Sequence, residues 1–406
     1  MNTTRTSPAA APRAAAPGEL PDPFDFYDFA ELLTDEERLV RQTVRDFVES
    51  EVLPGIEEHF RAGTFPRALV PRVAALGLLG PTVPEEYGGA GLGPTAYGLI
   101  CLELERGDSG IRSFVSVQSS LVMYPILRYG SEEQKRHWLP RLASGEAIGC
   151  FGLTEPDHGS DPGGMETRAE RRGDRWRVNG RKMWITNGGI AGLAVVWAKT
   201  ADGIAGFLVE TKASGFSTVD MHNKWSLRAS VTSELVLDDV EVPDSARLPA
   251  ARGLGAPLSC LNQARYGIAW GAIGAALACF ETARRHAMER TQFGKPIGSF
   301  QLVQAALADM LASITQAQLL CLRLGRLKEA GRDHPARVSL AKRQTVAMAC
   351  DVARSAREIL GAIGITGEVP IMRHLMNLET VRTYEGTHQI HTLVLGQAVT
   401  GLDAFR

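Results

Sequence analysis

The chain is predicted to be a mostly helical α+β protein with a helical N-terminal part, a middle antiparallel β domain and a C-terminal four-helix bundle. Three observations predict this. Helical spacing headed by capping signals runs from Thr34 to about Gly145, short alternating runs fill about 147–243, and strong helical periodicity returns after Pro257. The expected boundaries are an arm over 1–23, a helical domain over 24–146, a β domain over 147–245 and a bundle over 246–406.

Each part has its own warrant. TDEE (Thr34, Glu37) and SEEQ (Ser131, Gln134) are capping boxes, in which a hydroxyl and a side chain three residues on satisfy each other's backbone N–H. The turn-rich TVPEEYGGAGLGP (82–94) interrupts the helical pattern as an internal loop. RWRVNG, KMWITN, LAVVWAKT, IAGFLVE and SELVLDDVEVP read as strands divided by Gly, Asn and Asp. Four helices are expected at about 258–290, 299–329, 335–361 and 369–402, punctuated by Gly294, Pro296, Gly331, Pro335 and Gly367.

Composition excludes several classes of function. With 44 Lys and Arg against 46 Asp and Glu the net charge is −2, and no long basic run offers a footprint for nucleic acid or an anionic membrane. The apolar, uncharged stretch Tyr266–Phe280 is too short for a membrane span and reads as a buried core helix. Six scattered cysteines without a CxxC pair fit reduced structural thiols, so a cytoplasmic location is expected. The arm MNTTRTSPAAAPRAAAPGEL lacks the apolar core of a secretory signal and is expected to be disordered. A transit peptide directing a eukaryotic chain to the mitochondrial matrix is the alternative reading.

Familiar chemical motifs are absent: there is no GxxxxGK[ST], no GxSxG, and no GxGxxG after a strand. His388 and His391 stand three apart but lack further ligand-type neighbours, so no metal is expected. The informative segment is CFGLTEPDHGSD (150–161). Phe151, Gly152, Leu153 and Thr154 can present extended backbone to the edge of a planar heterocycle, and Gly159-Ser160 gives a turn with free donors. KMWITN (182–187) ends a strand with an aromatic and a hydroxyl, so Trp184 reads either as cover for a flat ring or as ordinary core. Glu385 in TYEGT reads as a desolvated acid or as a helix-surface glutamate. Arg112, the only charge between Asp108 and Arg128, is set among apolar and hydroxyl residues and suits a buried carboxylate.

These segments, with LELERGDSGIRSFVSVQSSLVM (102–123), LNQARYGIAWG (261–271), MERTQFGKPIGSFQ (288–301) and NLETVRTYEGTHQIHTLVLGQAVTG (377–401), make a chain that resembles the acyl-CoA dehydrogenase flavoenzymes, and more closely their glutaryl-CoA dehydrogenase branch. The likeness runs from about Phe24 to Phe405 and carries the same α, β, α order. The resemblance implies FAD as cofactor, an acyl-CoA substrate, an electron-transferring flavoprotein as partner and a homotetramer. It makes Glu385 the catalytic base, with Tyr384 and Gly386 beside the substrate and Thr387 touching the flavin. FAD contacts carried over are Phe151, Gly152, Leu153, Thr154, Ser160, Trp184, Ile185 and Thr186, with Arg290, Phe293, Gln301, Glu358, Leu360 and Gly361 at the pyrophosphate and adenosine end of a neighbouring subunit's cofactor. Arg290 has a physical reason of its own, since a guanidinium grips phosphate bidentately. Where the family often shows Gly-Gly-Asn-Gly, this chain has Gly361-Ala362-Ile363-Gly364, a departure that adds side chains at the adenosine contact.

On the substrate side the resemblance implies Arg112 and Ser113 as receptors of a terminal carboxylate, Glu105 as partner of that arginine, Ser160 as a substrate contact as well, and Arg265 in a segment along the CoA thioester and pantetheine. Tyr384 and Glu105 match the decarboxylating members, so oxidative decarboxylation of glutaryl-CoA to crotonyl-CoA is expected. The alternatives are dehydrogenation or oxidation of another short acyl-CoA without decarboxylation, and a non-catalytic acyl-CoA-binding protein.

Overall fold

The computed structural model describes residues 20–405, so most of the expected arm lies outside the described residues. Seven helices come first: α1 (Asp35–Phe47), α2 (Leu53–Ala62), α3 (Val70–Ala75), α4 (Pro94–Gly107), α5 (Ser109–Ser116), α6 (Tyr124–Tyr129) and α7 (Glu132–Ala143). Both capping boxes form as read. The Thr34 hydroxyl accepts from Glu37 N at 3.2 Å while Thr34 N donates to the Glu37 carboxylate at 2.8 Å, and Ser131 with Gln134 repeats the exchange at 3.2 and 2.9 Å.

Seven strands follow: β1 (Gly149–Gly152), β2 (Arg168–Arg172), β3 (Arg175–Thr186), β4 (Leu193–Thr200), β5 (Gly203–Glu210), β6 (Phe216–Asp220) and β7 (Thr232–Pro243). They make one sheet in the order β1-β4-β2-β3-β7-β6, with β5 also paired to β4. Four pairings are antiparallel, as the alternating runs predict, and two are parallel: β1 with β4, and a single contact of β2 with β4 at Arg168 and Lys199. The first six residues of β4 are all buried, so LAVVWA reads as a continuous apolar run and not an alternating one.

After the sheet come α8 (Gly255–Glu289), a small hairpin β8 (Thr291–Gln292) and β9 (Lys295–Pro296), α9 (Gln301–Glu329), α10 (Pro335–Leu360), α11 (Ile371–Thr383) and α12 (His388–Thr400). Three of the four expected bundle helices appear nearly as read. The fourth does not. It breaks at Tyr384–Thr387, where Glu385 has φ 52° and Gly386 φ 90°, both in the left-handed region that stops a helix, and where Thr387 caps a new one by accepting from Ile390 N at 3.2 Å. Helix α9 is long and apolar enough by composition to cross a membrane, with mean hydropathy 1.4, yet it packs in the bundle beside α8 and α10. All six cysteines are free and buried.

Helix α8 is the axis of the molecule. Tyr266 to Phe280 is buried throughout, and α4 lies against it so closely that glycine is required where the two cross. A Cβ on Gly98 would sit 2.4 Å from the Trp270 ring, and one on Gly274 would sit 1.9 Å from the Leu102 carbonyl oxygen. A second constraint joins all three parts. The buried Asp108 carboxylate accepts from Arg373 Nη1 at 2.7 Å and Asn377 Nδ2 at 2.9 Å on α11, and Asn377 Oδ1 accepts from Leu227 N at 2.8 Å in the loop before β7. Gly274→Ala is therefore expected to cost about 1–3 kcal/mol or more by forcing α4 away from α8. A denaturation midpoint equal to that of the wild type would contradict this packing.

Candidate active site

The left-handed turn between α11 and α12 carries Glu385 to the junction of α5, α8 and α10. Its Oε2 is buried and, among the described residues, has no hydrogen-bond partner. Burial pushes the carboxyl above its ordinary value, and the opposing pull of Lys342, Arg112 and Arg265 does not cancel that effect. The helix-surface reading of Glu385 is thereby overturned: the residue lies in a turn, and its carboxyl points inward.

Backbone carbonyls of the turn are gathered by cations. Arg265 Nε donates to Glu385 O at 2.7 Å. Lys342 Nζ donates to Gly386 O at 2.7 Å, to Glu385 O at 3.4 Å and to Tyr384 O. Gly386 is required twice over, by its positive φ and because a Cβ there would meet Arg265 Nη2 and His391 Nε2, each at 3.0 Å. The His391 ring is buried and bonded through Nδ1 to Ser339 Oγ at 3.0 Å, and burial pushes its pKa down to about 3.

Beside the turn lies a second buried cluster. Arg112 is fully buried, and its Nε donates to Glu105 Oε2 at 2.6 Å. Its Nη2 donates to the Tyr384 hydroxyl, which also lies 3.2 Å from Ser113 Oγ, and Nη1 has no partner among the described residues. Ser109 Oγ donates to the other Glu105 oxygen at 2.8 Å. Burial alone would lower the guanidinium, yet Glu105 holds it well above its ordinary value, so the site keeps a permanent cation with one free N–H edge. Space for this pair exists because Gly271 on α8 has no side chain: a Cβ there would lie 1.9 Å from Glu105 Oε2. The structure thus brings Glu105, Arg112, Ser113, Arg265, Tyr384, Glu385 and Gly386 together.

The expected cofactor residues fall in two places. Phe151 and Gly152 close β1 and Leu153-Thr154 continue it, joined to the Trp184 strand where Met183 N donates to Thr154 O at 2.8 Å. The β3–β7 register slips between Lys182 and Ile185, and this bulge turns Trp184 outward at φ 62° with 64% of its surface exposed. The core reading of Trp184 is excluded. Ile185 is buried, Thr186 is half-buried, Ser160 is exposed on the following loop, and Thr387 is the α12 cap. Arg290, Phe293 and Gln301 surround the β8–β9 hairpin and are all exposed, Phe293 to 93%. At the end of α10, Glu358 is exposed, Leu360 is buried and Gly361 takes φ 59°.

Sequence reasoning missed two supports. Lys182 lies inside KMWITN, yet it turns inward, donating to Glu155 at 2.8 Å and Leu153 O at 3.1 Å. Glu155 in turn accepts from Thr167 N at 3.0 Å, so this buried pair fixes the loop that follows β1. Lys342 is the other. Its signal was a lysine four residues after Val338 and four before Val346, on the stripe that α10 buries.

A glutamate with one buried, unpartnered carboxyl oxygen and, on the sheet, an outward-turned aromatic ledge suit removal of a proton in front of a flat redox cofactor. Open indole surface, the neighbouring Thr154 and Thr186 hydroxyls and the exposed Arg290 fit a flavin dinucleotide in chemistry. The chain matches the acyl-CoA dehydrogenase N-terminal domain over residues 34–146, the middle domain over 150–240 and the C-terminal domain over 251–400. The human mitochondrial short-chain specific acyl-CoA dehydrogenase is 37% identical over 89% of this chain and 90% of its own. A crystal structure of glutaryl-CoA dehydrogenase from Mycobacterium smegmatis superposes with TM-score 0.93 at 57% identity, covering 94% of this chain and 99% of that one. A second structure of a glutaryl-CoA dehydrogenase from that organism, in complex with FADH2, gives TM-score 0.93 at 53% identity, with 95% and 99% covered. The chain belongs to the acyl-CoA dehydrogenase family; it is an oxidoreductase, and its cofactor is FAD.

Gly271→Ala should displace the Glu105–Arg112 pair by about an ångström and lower turnover about 10²-fold, with FAD content unchanged. Wild-type turnover in that variant would show that the pair does not need this gap.

Proposed function

We propose that this enzyme oxidatively decarboxylates glutaryl-CoA to crotonyl-CoA and CO2 and passes the electrons to an electron-transferring flavoprotein. The observation that carries the reading is Arg112: fully buried, held by Glu105 and by the hydroxyl of Tyr384, which directly precedes Glu385, with Nη1 unpartnered. A monocarboxylic acyl chain gives such a cation nothing to bind, whereas a terminal carboxylate satisfies it through a charge-assisted bond. Structural neighbours that are glutaryl-CoA dehydrogenases, one of them in complex with glutaryl-CoA, support the same substrate.

In this reading Glu385 takes the α-proton of the thioester. Phe151 to Thr154, Ser160, Trp184 to Thr186 and Thr387 would hold FAD, which when bound would supply an acceptor for the hydride leaving Cβ. Gly386 lets the acyl chain pass close to the backbone, and Arg112 with Ser113 holds the distal carboxylate. The new double bond makes that carboxylate vinylogous to the thioester. The bond to CO2 then breaks, its electron pair spreads to the thioester oxygen, and protonated Glu385 returns its proton to the terminal carbon.

Arg290, Phe293 and Gln301, with Glu358 and Gly361, take the adenosine end of a neighbouring subunit's FAD. Exposed Phe293, Leu302, Val399 and Leu402 supply apolar surface for a homotetramer.

Two variants test the roles. Glu385→Gln should keep FAD but slow flavin bleaching by glutaryl-CoA about 10²–10⁴-fold, and near-normal bleaching would remove Glu385 as the base. Arg112→Ala, made together with Glu105→Gln so that no carboxylate is left buried without its cation, should lose about 10²-fold with glutaryl-CoA but little with butyryl-CoA. Equal losses would mean that Arg112 does not receive the carboxylate. Anaerobic addition of glutaryl-CoA should release one CO2 for each flavin reduced, whereas bleaching without CO2 would limit the reaction to dehydrogenation.

A further inference from the structure

We propose that Lys342 is the positioning residue for the catalytic turn, its ammonium gathering three successive carbonyls so that the Glu385 side chain is aimed into the site without a partner of its own. The inference rests on the reading of Glu385 as the base.

The geometry is unusual for a buried lysine. Only 1% of its surface is exposed, and Nζ meets the oxygens of Tyr384, Glu385 and Gly386 and no carboxylate oxygen. An ammonium removed from water normally requires an anion, so carbonyl dipoles and the nearby Glu385 charge must stabilise it here. Those three carbonyls belong to residues around the left-handed bend, where Glu385 itself, a non-glycine residue, has φ 52°. Such a conformation persists only where its surroundings impose it. Arg265 holds the middle carbonyl from α8, and Lys342 holds all three from α10. Because the backbone absorbs the hydrogen bonds, the carboxyl does not form a closed ion pair with either cation and stays free to take a proton.

The charged and titratable groups facing Lys342 are Glu385 in the turn, Arg112 on α5, Arg265 on α8, and His388 and His391 on α12. The Tyr384 ring centroid lies 5.8 Å from Nζ, and Arg382 lies across a narrow cleft also lined by Val346, Val381, His388 and His391. Burial pushes Lys342 down and Glu385 up, while each favours the charged form of the other. Loss of the cation should therefore raise the carboxyl further and move the acid limb of flavin bleaching to higher pH.

The test uses the FAD-loaded enzyme. Lys342→Met should bind FAD and crotonyl-CoA almost as well as the wild type, yet lose about 10²-fold in the limiting rate of bleaching, with the acid limb displaced upward. Lys342→Ala should show the same loss and recover in propylammonium, which replaces the missing Cγ to Nζ, but not in propanol, which fills the space without the charge. Bleaching within about twofold of the wild type in both variants overturns the proposal. Equal recovery in propanol does so too, as does loss of flavin from both variants that propylammonium does not reverse, since either makes Lys342 a packing residue. Glu385→Gln separates the two readings: if it is inactive while Lys342→Met is normal, only the positioning role fails.

Discussion

The structure depends on holding a half-buried glutamate with one carboxyl oxygen shut inside the protein and left without a partner. A glutamate in water is a weak base, and one locked in an ion pair is weaker still. Glu385 escapes both states because the helix carrying it stops short, bends through two left-handed residues and restarts at Thr387. Nearby cations act on the backbone of that bend, with Arg265 at 2.7 Å from Glu385 O and Lys342 at 2.7 Å from Gly386 O. Their charges reach the carboxyl through space but do not close on it.

The surrounding fold follows from that requirement. Arg112, Arg265 and Lys342 oppose Glu105 and Glu385, so the cluster carries an excess of positive charge when all five groups are ionised. This sign suits a substrate that brings a carboxylate and develops negative charge at a thioester oxygen. Fitting these groups between helices needs small residues. Gly271 leaves room for Glu105, and Gly98 and Gly274 let α4 and α8 approach closely. Asp108, bonded to Arg373 and Asn377, fixes α11 to the N-terminal helices and so sets where the turn begins.

Much of this was legible in the sequence, for reasons that differ by element. Both capping boxes and the three long bundle helices follow local rules, and they appear within a few residues of their expected ends. The break at Tyr384-Glu385-Gly386-Thr387 had a readable signal, a glycine followed by a capping threonine, but the apolar periodicity on either side overrode it. The parallel pairing of β1 with β4 was not readable, because partner choice depends on where the chain enters the sheet. Arg112 stood out as a charge among apolar and hydroxyl residues, whereas Glu105, between Glu103 and Arg106, came only with the family resemblance. Lys342 was hidden by the opposite circumstance: in VSLAKRQTVAM it stands next to Arg343 and looks like half of a solvated pair, although only Arg343 faces out.

The central claim is that Glu385 titrates as a desolvated acid, and infrared difference spectroscopy of the FAD-loaded wild type against Glu385→Gln observes that titration directly. A protonated-carboxyl band that persists to pH values above the ordinary glutamate pKa of about 4.3 is the expected result. A band that disappears at or below that value would mean that the carboxyl is solvated or paired, and the account built on it would fail.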